Sequence, residues 1–301
     1  MKNKEKKFSI AELINKNKKL SLAVIVAILV ILIVVTVALV FGGKSSKAAS
    51  NIPYSKISEA EIALRSDSFS MIVDGGYSKD VPKNTIEAFE RAHGENYYDV
   101  FFEVQLTKDG MWVVFDEDEL NGTTDMKGKV SDYTYYELLE GSLDFDYVSK
   151  YTKKYKIPTL EDTLNLCASH DLKPYISVDS TDTRKLEDIV ILLGKYGILE
   201  KSAIVSTNTK TLLEIQTFPE TVECWYSMDK ITSENIGIIK ANPTVGALYN
   251  MENSSNRESQ IKDLCKAGAK VGCYNVNTLE DFEDAYTYGV TTFITQRILL
   301  K

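Results

Sequence analysis

Nine short apolar runs, most of them separated by amphipathic helical patterns, occupy the chain from residue 69 onward and constrain its fold more than any other feature. They lie at 69–75, 98–107, 111–117, 172–180, 202–207, 221–228, 244–251, 270–277 and 291–296. Helical patterns fall at 84–93, 159–170, 183–196, 209–217, 256–267 and 278–288. A strand followed by a helix and another strand is the signature of parallel pairing, because parallel neighbours need a long crossover. Over about 240 residues that alternation predicts an α/β chain folded as a (β/α)8 TIM barrel. Nine runs compete for eight places in such a barrel. The turn Thr107-Lys108-Asp109-Gly110 is too tight to hold a helical crossover, so the two runs flanking it account for the surplus.

Ahead of this body stands residues 20–41, a 22-residue run whose least apolar members are Ser21 and Thr36 and which carries no charge. As a helix it reaches roughly 33 Å, enough to cross the hydrocarbon core of a bilayer. Seven Lys precede the run and two follow it, a bias that puts the N-terminus in the cytoplasm and the body outside. A cleaved signal peptide is the competing reading, with a weak cleavage site at Ser46-Lys47-Ala48, but the run exceeds the usual signal length. No lipidation-type Cys follows it. The expected organisation is therefore a basic cytoplasmic tail over 1–19, a single transmembrane helix over 20–41, a linker over 42–58 and a barrel over 59–301. The lipid bilayer is the expected partner of 20–41, and the location is a cell membrane crossed once. Small residues for helix pairing within the run amount to little more than Ala23 and Ala27, weak support for a role in a membrane complex.

Charge narrows the partners. Residues 1–49 hold nine Lys against two Glu, leaving 26 basic and 41 acidic side chains in the rest, a net −15. A body this acidic lacks the clustered Lys and Arg that phosphate backbones require, so nucleic acid is excluded as its partner. The four cysteines, Cys167, Cys224, Cys265 and Cys273, show no CxxC spacing and no neighbouring His, which excludes a zinc set and favours free thiols. Aromatic residues cluster around 97–102 and, as tyrosines, across 131–156, where they serve either as packing or as a recognition surface.

Five segments carry a resemblance, in order along the body: Val81-Pro82-Lys83-Asn84-Thr85-Ile86-Glu87-Ala88-Phe89, Val104-Gln105-Leu106-Thr107-Lys108-Asp109-Gly110, Val113-Val114-Phe115-Asp116, Ile157-Pro158-Thr159-Leu160-Glu161 and Tyr274-Asn275-Val276-Asn277. Together they resemble the glycerophosphodiester phosphodiesterase family. The resemblance implies a barrel whose C-terminal mouth cleaves glycerophosphodiesters with two histidines as acid and base. It also implies a divalent cation held by acids, and an Arg and a Lys on the phosphate. The histidines move protons near neutral pH and the cation neutralises phosphoryl charge.

This chain departs from the family at those positions. The His-Arg-Gly that closes the family's first strand is Asp74-Gly75-Gly76, and the Glu of Pro-Glu-Asn-Thr is Lys83. The Glu-x-Asp metal pair aligns with Phe101 and Glu103, and the second His is Asp116. The fourth strand's Glu-x-Lys becomes Ser177 and Asp179, and a late Thr-Asp pair becomes Thr295 and Gln296. Six of the seven chemical positions are thus changed in kind, with Glu103 the near equivalent. His93 and His170, the two histidines of the chain, each close a helical pattern and are placed to face a helix C-terminus.

What remains at the expected mouth is acidic: Asp74, Glu103, Asp116 and Asp179. These four are the candidate ligands of a Ca2+ or Mg2+ ion, or a source of carboxylate acid and base chemistry on a neutral substrate, or solvated remnants. The leading expectation is a membrane-anchored, extracellular family member that is catalytically inactive and acts as a binding or structural module. Its ligand would be a protein or a glycerophosphodiester-like molecule. The alternatives are a metal-dependent phosphoric diester hydrolase and a reassigned carboxylate hydrolase.

Overall fold

A computed structural model describes residues 69–143, 154–180, 182–253 and 257–296. The apolar run over 20–41 lies outside these residues. Among the described residues no helix is long and apolar enough to cross a membrane.

All nine apolar runs form strands. They are β1 (Ser70–Asp74), β2 (Asp99–Leu106), β3 (Trp112–Val114), β4 (Lys173–Ser177), β5 (Ala203–Ser206), β6 (Glu223–Met228), β7 (Gly246–Asn250), β8 (Val271–Tyr274) and β9 (Thr292–Thr295). Eight of them are parallel neighbours, and the ring closes because β1 pairs with β2 on one side and with β9 on the other. β3 is the extra strand, antiparallel to the end of β2 with Leu106 opposite Trp112, as the tight turn between them requires. It lies outside the ring.

The surrounding helices are α1 (Ile86–Gly94), α2 (Tyr135–Leu138), α3 (Leu160–Ser169), α4 (Thr183–Lys195), α5 (Thr209–Ile215), α6 (Ser233–Ala241), α7 (Arg257–Lys266) and α8 (Leu279–Thr287). Thr85, Thr159 and Thr278 cap α1, α3 and α8, each accepting from the backbone N–H three residues on. α1 starts two residues later than its apolar pattern, since Asn84 has left-handed backbone (φ 59°) and Thr85 is the cap. α6 has no counterpart among the helical patterns of the sequence. Its segment Ser-Glu-Asn-Ile-Gly-Ile-Ile-Lys-Ala places Gly237 mid-helix and buries little beyond Ile239, so its periodicity is faint.

Strand alternation divides the apolar side chains into two cores. Ile72, Tyr175, Ala203, Val205, Trp225, Leu248 and Ile294 fill the barrel interior, with Phe101 and Tyr274 packed on them. The opposite strand faces and the helices make a larger outer shell that includes Val73, Phe89, Phe102, Leu164, Ile176, Leu186 and Phe293. At the N-terminal end of the interior, Glu223 accepts from Lys173 and Lys270, each at 2.8 Å. Cys167, Cys224 and Cys273 are buried, Cys265 is exposed, and none of the four forms a disulfide.

Gly246 is where the interior is tightest. A Cβ there would meet the Trp225 ring at 2.5 Å, so the indole lies directly on the β7 backbone. Gly246→Ala is expected to lower stability by about 1–3 kcal/mol through overpacking, read as a shifted urea midpoint with an unchanged slope.

Candidate functional site

Strand pleating decides what the mouth contains. Ile72 and Phe101 point into the barrel, so Asp74 and Glu103, two residues further along the same strands, point inward one layer above them. Ser177 takes the same place above Tyr175 on β4, and Asn250 faces Tyr274 across β7 and β8. Phe101 packs its ring on the interior cluster, as expected of an apolar side chain standing at a family metal position.

The loop after β1 delivers the next groups. Gly75 and Gly76 both have positive φ, and a Cβ on Gly76 would strike the Ala88 carbonyl carbon at 2.6 Å, so α1 packs against bare backbone. The Asn84 N–H donates to the Gly75 carbonyl at 2.8 Å, and the Thr85 hydroxyl donates to the Pro82 carbonyl at 2.8 Å. These bonds hold Lys83 over the mouth. Its Nζ lies 2.5 Å from Asp116 Oδ2 and 3.6 Å from Glu117 Oε1. Asp116 arrives from the other side, on the chain just past β3, where the Phe115 N–H donates to the Glu103 carbonyl at 3.1 Å.

Asp74, Glu103 and Asp116 are thus brought together with Lys83, and their electrostatics follow. Burial pushes Asp74 up to about 6, with help from the Asp116 charge and against a hydrogen bond from Gln296 Nε2 at 3.1 Å. Burial likewise raises Glu103 to about 7, assisted by the charges of Asp116, Asp74 and Asp179 and opposed by Lys83. Burial pulls Lys83 down, yet the hydrogen bond to Asp116 and the charges of Asp116, Asp74 and Glu117 outweigh it and leave it above the ordinary lysine value.

Asp179 is near enough to act on Glu103 but is exposed and committed elsewhere. It accepts from the Ser206 hydroxyl at 2.5 Å, the Thr207 hydroxyl at 2.7 Å and the Thr207 N–H at 2.9 Å, tying the end of β4 to the end of β5. Among the described residues, no three His, Cys, Asp or Glu side chains form a set that could hold a metal ion. The donor set does not fit the divalent cation that the family uses: one member is salt-bridged to an ammonium and another is saturated by hydroxyl and amide donors.

His93 and His170 lie at the far end. They close α1 and α3, the helices that run back from the mouth, and their rings stack edge to face at 4.8 Å. His170 Nδ1 lies 3.1 Å from the Leu166 carbonyl, a contact with the end of its own helix. Neither can serve chemistry at the mouth. Of the tyrosines across 131–156, Tyr155 is buried, Tyr136 is 76% exposed, and Tyr147 and Tyr151 lie outside the described residues.

Two groups of residues escape a reading of the sequence. The first is an amide rim: Asp229 accepts from Asn250 at 2.9 Å and Asn253 at 2.7 Å, and Asn275 donates to Asn250 at 3.1 Å. The dipeptide Tyr-Asn occurs at 249–250 and again at 274–275, but the register pairs Asn250 with Tyr274, so the copies are offset by one residue and no repeat in the sequence marks the rim. The second is Asn84, whose buried carboxamide has neither atom hydrogen-bonded and borders a cavity of about 240 Å³ beside Lys83, Asp116, Ser78 and Thr123.

The profile of the Glycerophosphoryl diester phosphodiesterase family matches residues 76–300. A glycerophosphodiester phosphodiesterase of Bacillus altitudinis is 42% identical over 91 residues, 30% of this chain and 37% of that protein. One from Caldanaerobacter subterraneus is 30% identical over 149 residues, 48% of this chain and 61% of that protein. This chain therefore spans between about a third and three fifths of those two relatives. A glycerophosphodiester phosphodiesterase of Bacillus subtilis is 28% identical over 264 residues, 81% of this chain and 88% of that protein. Among solved structures, an Oleispira antarctica phosphodiesterase in complex with sn-glycerol-3-phosphate superposes with a TM-score of 0.68 at 19% identity, covering 75% of this chain and 92% of that one. The glycerophosphodiester phosphodiesterase of Agrobacterium tumefaciens gives 0.62 at 15%, covering 76% and 96%. At these identities the superpositions establish the barrel fold.

The raised carboxyls make a stability prediction. Glu103 has a folded-state value near 7, above its value in the unfolded chain, so it favours folding at low pH and that contribution is lost as pH rises through about 7. Glu103→Gln removes the loss. After allowance for solvent at the mouth, the variant should be about 1–2 kcal/mol more stable than the parent at pH 8.5, with no gain at pH 4.5. Chemical denaturation at the two pH values checks this.

Proposed function

Because the chain belongs to the glycerophosphoryl diester phosphodiesterase family, we propose that it is a membrane-anchored, outward-facing member that does not hydrolyse phosphodiesters and serves as a binding or structural module. One observation carries the reading. Where the family's reaction needs two imidazoles and an arginine, the mouth holds Asp74, Gly75 and Asp116, and Asp116 is bound to Lys83. Hydrolysis of a phosphodiester requires a base for the attacking group, an acid for the leaving oxygen and positive charge on the phosphoryl oxygens. Here the positive charge is compensated by carboxylates, and the ordinary field of the mouth repels an anion.

Anchoring rests on residues 20–41 and the lysines around them. The barrel then stands outside the membrane behind the 42–58 linker.

A specific feature supports a second reading. Burial raises both Asp74 and Glu103 well above the usual carboxylate range, so that each can hold or release a proton near neutral pH, as carboxylate chemistry on a neutral, hydroxyl-bearing substrate requires.

Two experiments test the proposal. The full chain in detergent, given glycerophosphocholine, glycerophosphoethanolamine and glycerophosphoglycerol with and without millimolar Ca2+ or Mg2+, should release no glycerol 3-phosphate. Turnover abolished by Glu103→Ala would overturn the inactive reading. For the anchor, the chain should stay with membranes through an alkaline carbonate wash, with the barrel digested by protease added to intact cells. Recovery in the soluble fraction, or protection of the barrel, would refute that placement.

A further inference from the structure

Three departures from the family at the mouth form one device. Gly75 stands where the family has Arg, and a Cβ there would lie 2.7 Å from the Cβ of Lys83, so the backbone at these two positions packs closely whatever side chain position 83 carries. Lys83 stands where the family has Glu, and it reaches Asp116 at 2.5 Å. Asp116 stands where the family has His, and supplies the charge that holds the ammonium in place. The lysine and the aspartate are coupled directly, since the carboxylate fixes the ammonium, and Gly75 lets the loop that carries Lys83 pack this closely.

The position of that ammonium also matters. It neutralises Asp116, lies near Glu117 and acts electrostatically on Asp74 and Glu103, the acids that in this mouth would surround a divalent ion. We infer that Lys83 is the resident cation of the mouth, replacing a divalent metal by a covalently attached ammonium, and that it keeps Ca2+ and Mg2+ out. An ammonium satisfies an acidic cluster without an inner coordination sphere, which agrees with a donor set that lacks three converging ligands. Asp116 gives its Oδ2 to the ammonium, which leaves it at most one oxygen for a metal. A 2+ ion entering beside Lys83 meets repulsion from its ammonium.

The inference is separable from loss of hydrolysis, since an inactive mouth could still bind a cation and an active one could dispense with it. The test is Ca2+ binding to the full chain in detergent, followed by isothermal titration and by the Ca2+ dependence of the melting temperature. The parent and Lys83→Arg, which keeps the charge, should show no Ca2+-dependent rise in melting temperature. Lys83→Met, which keeps the length and removes the charge, should gain one and bind Ca2+ at least about tenfold more tightly than the parent. The gain should vanish in Lys83→Met combined with Asp116→Asn. Circular dichroism shows whether each variant is folded. Ca2+ binding by the parent equal to that of Lys83→Met would overturn the inference, as would a folded Lys83→Met that gains nothing. Either result leaves the hydrolysis assay to stand on its own.

Discussion

Closure of the ring by β1 is the constraint on which the rest of this molecule depends. A parallel sheet of eight strands left open would expose two edges, and β1 removes both by pairing with β2 and with β9. Once closed, the pleat forces alternate residues inward, and everything at the mouth is set by that parity. Asp74 and Glu103 come to the mouth because Ile72 and Phe101 are packed in the interior below them. A slip of one residue in either strand would send the carboxyls into the helix-covered shell.

The two ends of the barrel use charge differently. At the N-terminal end Lys173 and Lys270 share Glu223 in a paired arrangement, and Glu223 is held below its usual value: the hydrogen bonds and charges of those lysines overcome the burial that would raise it. At the mouth the acids outnumber the base. Asp74 and Glu103 remain under-compensated and are pushed upward. Asp99, beside Lys173 at the N-terminal end, is nevertheless pushed up to about 6 by burial, so under-compensated acids are found at both ends of the barrel. Asp179 shows how such tension is relieved without a counter-ion, through three donors from Ser206 and Thr207.

Much of the fold was legible because its signals are local. Each strand run reads from apolar β-formers, and Thr159 and Thr278 read as cap-type residues ahead of their helical patterns, whereas Thr85 lies inside the 84–93 pattern and became a cap only in the structure. The surplus strand was legible from the length of one turn. α6 was not, since a helix with Gly237 in its centre and one buried isoleucine has hardly any periodic pattern to detect. The four acids of the mouth were legible through the family resemblance, but their states were not. Asp179 bonded to β5, Asp116 bonded to Lys83 and Asn250 joined to Asp229 and Asn275 are all contacts between residues 20 or more positions apart.

The sequence by itself determined the alternation of strands and helices, the family, the loss of histidine and arginine from the mouth and the uncharged run ahead of the barrel. These depend on residue identity and on neighbours a few positions away. Only the tertiary structure decided which carboxylates are free to act and which are occupied, and that Gly75, Lys83 and Asp116 belong to one arrangement. The reason is physical: a hydrogen bond or a Coulomb interaction depends on distance in space, and the separation of 33 residues between Lys83 and Asp116 becomes 2.5 Å only when β2 and β3 fold back beside the loop that follows β1.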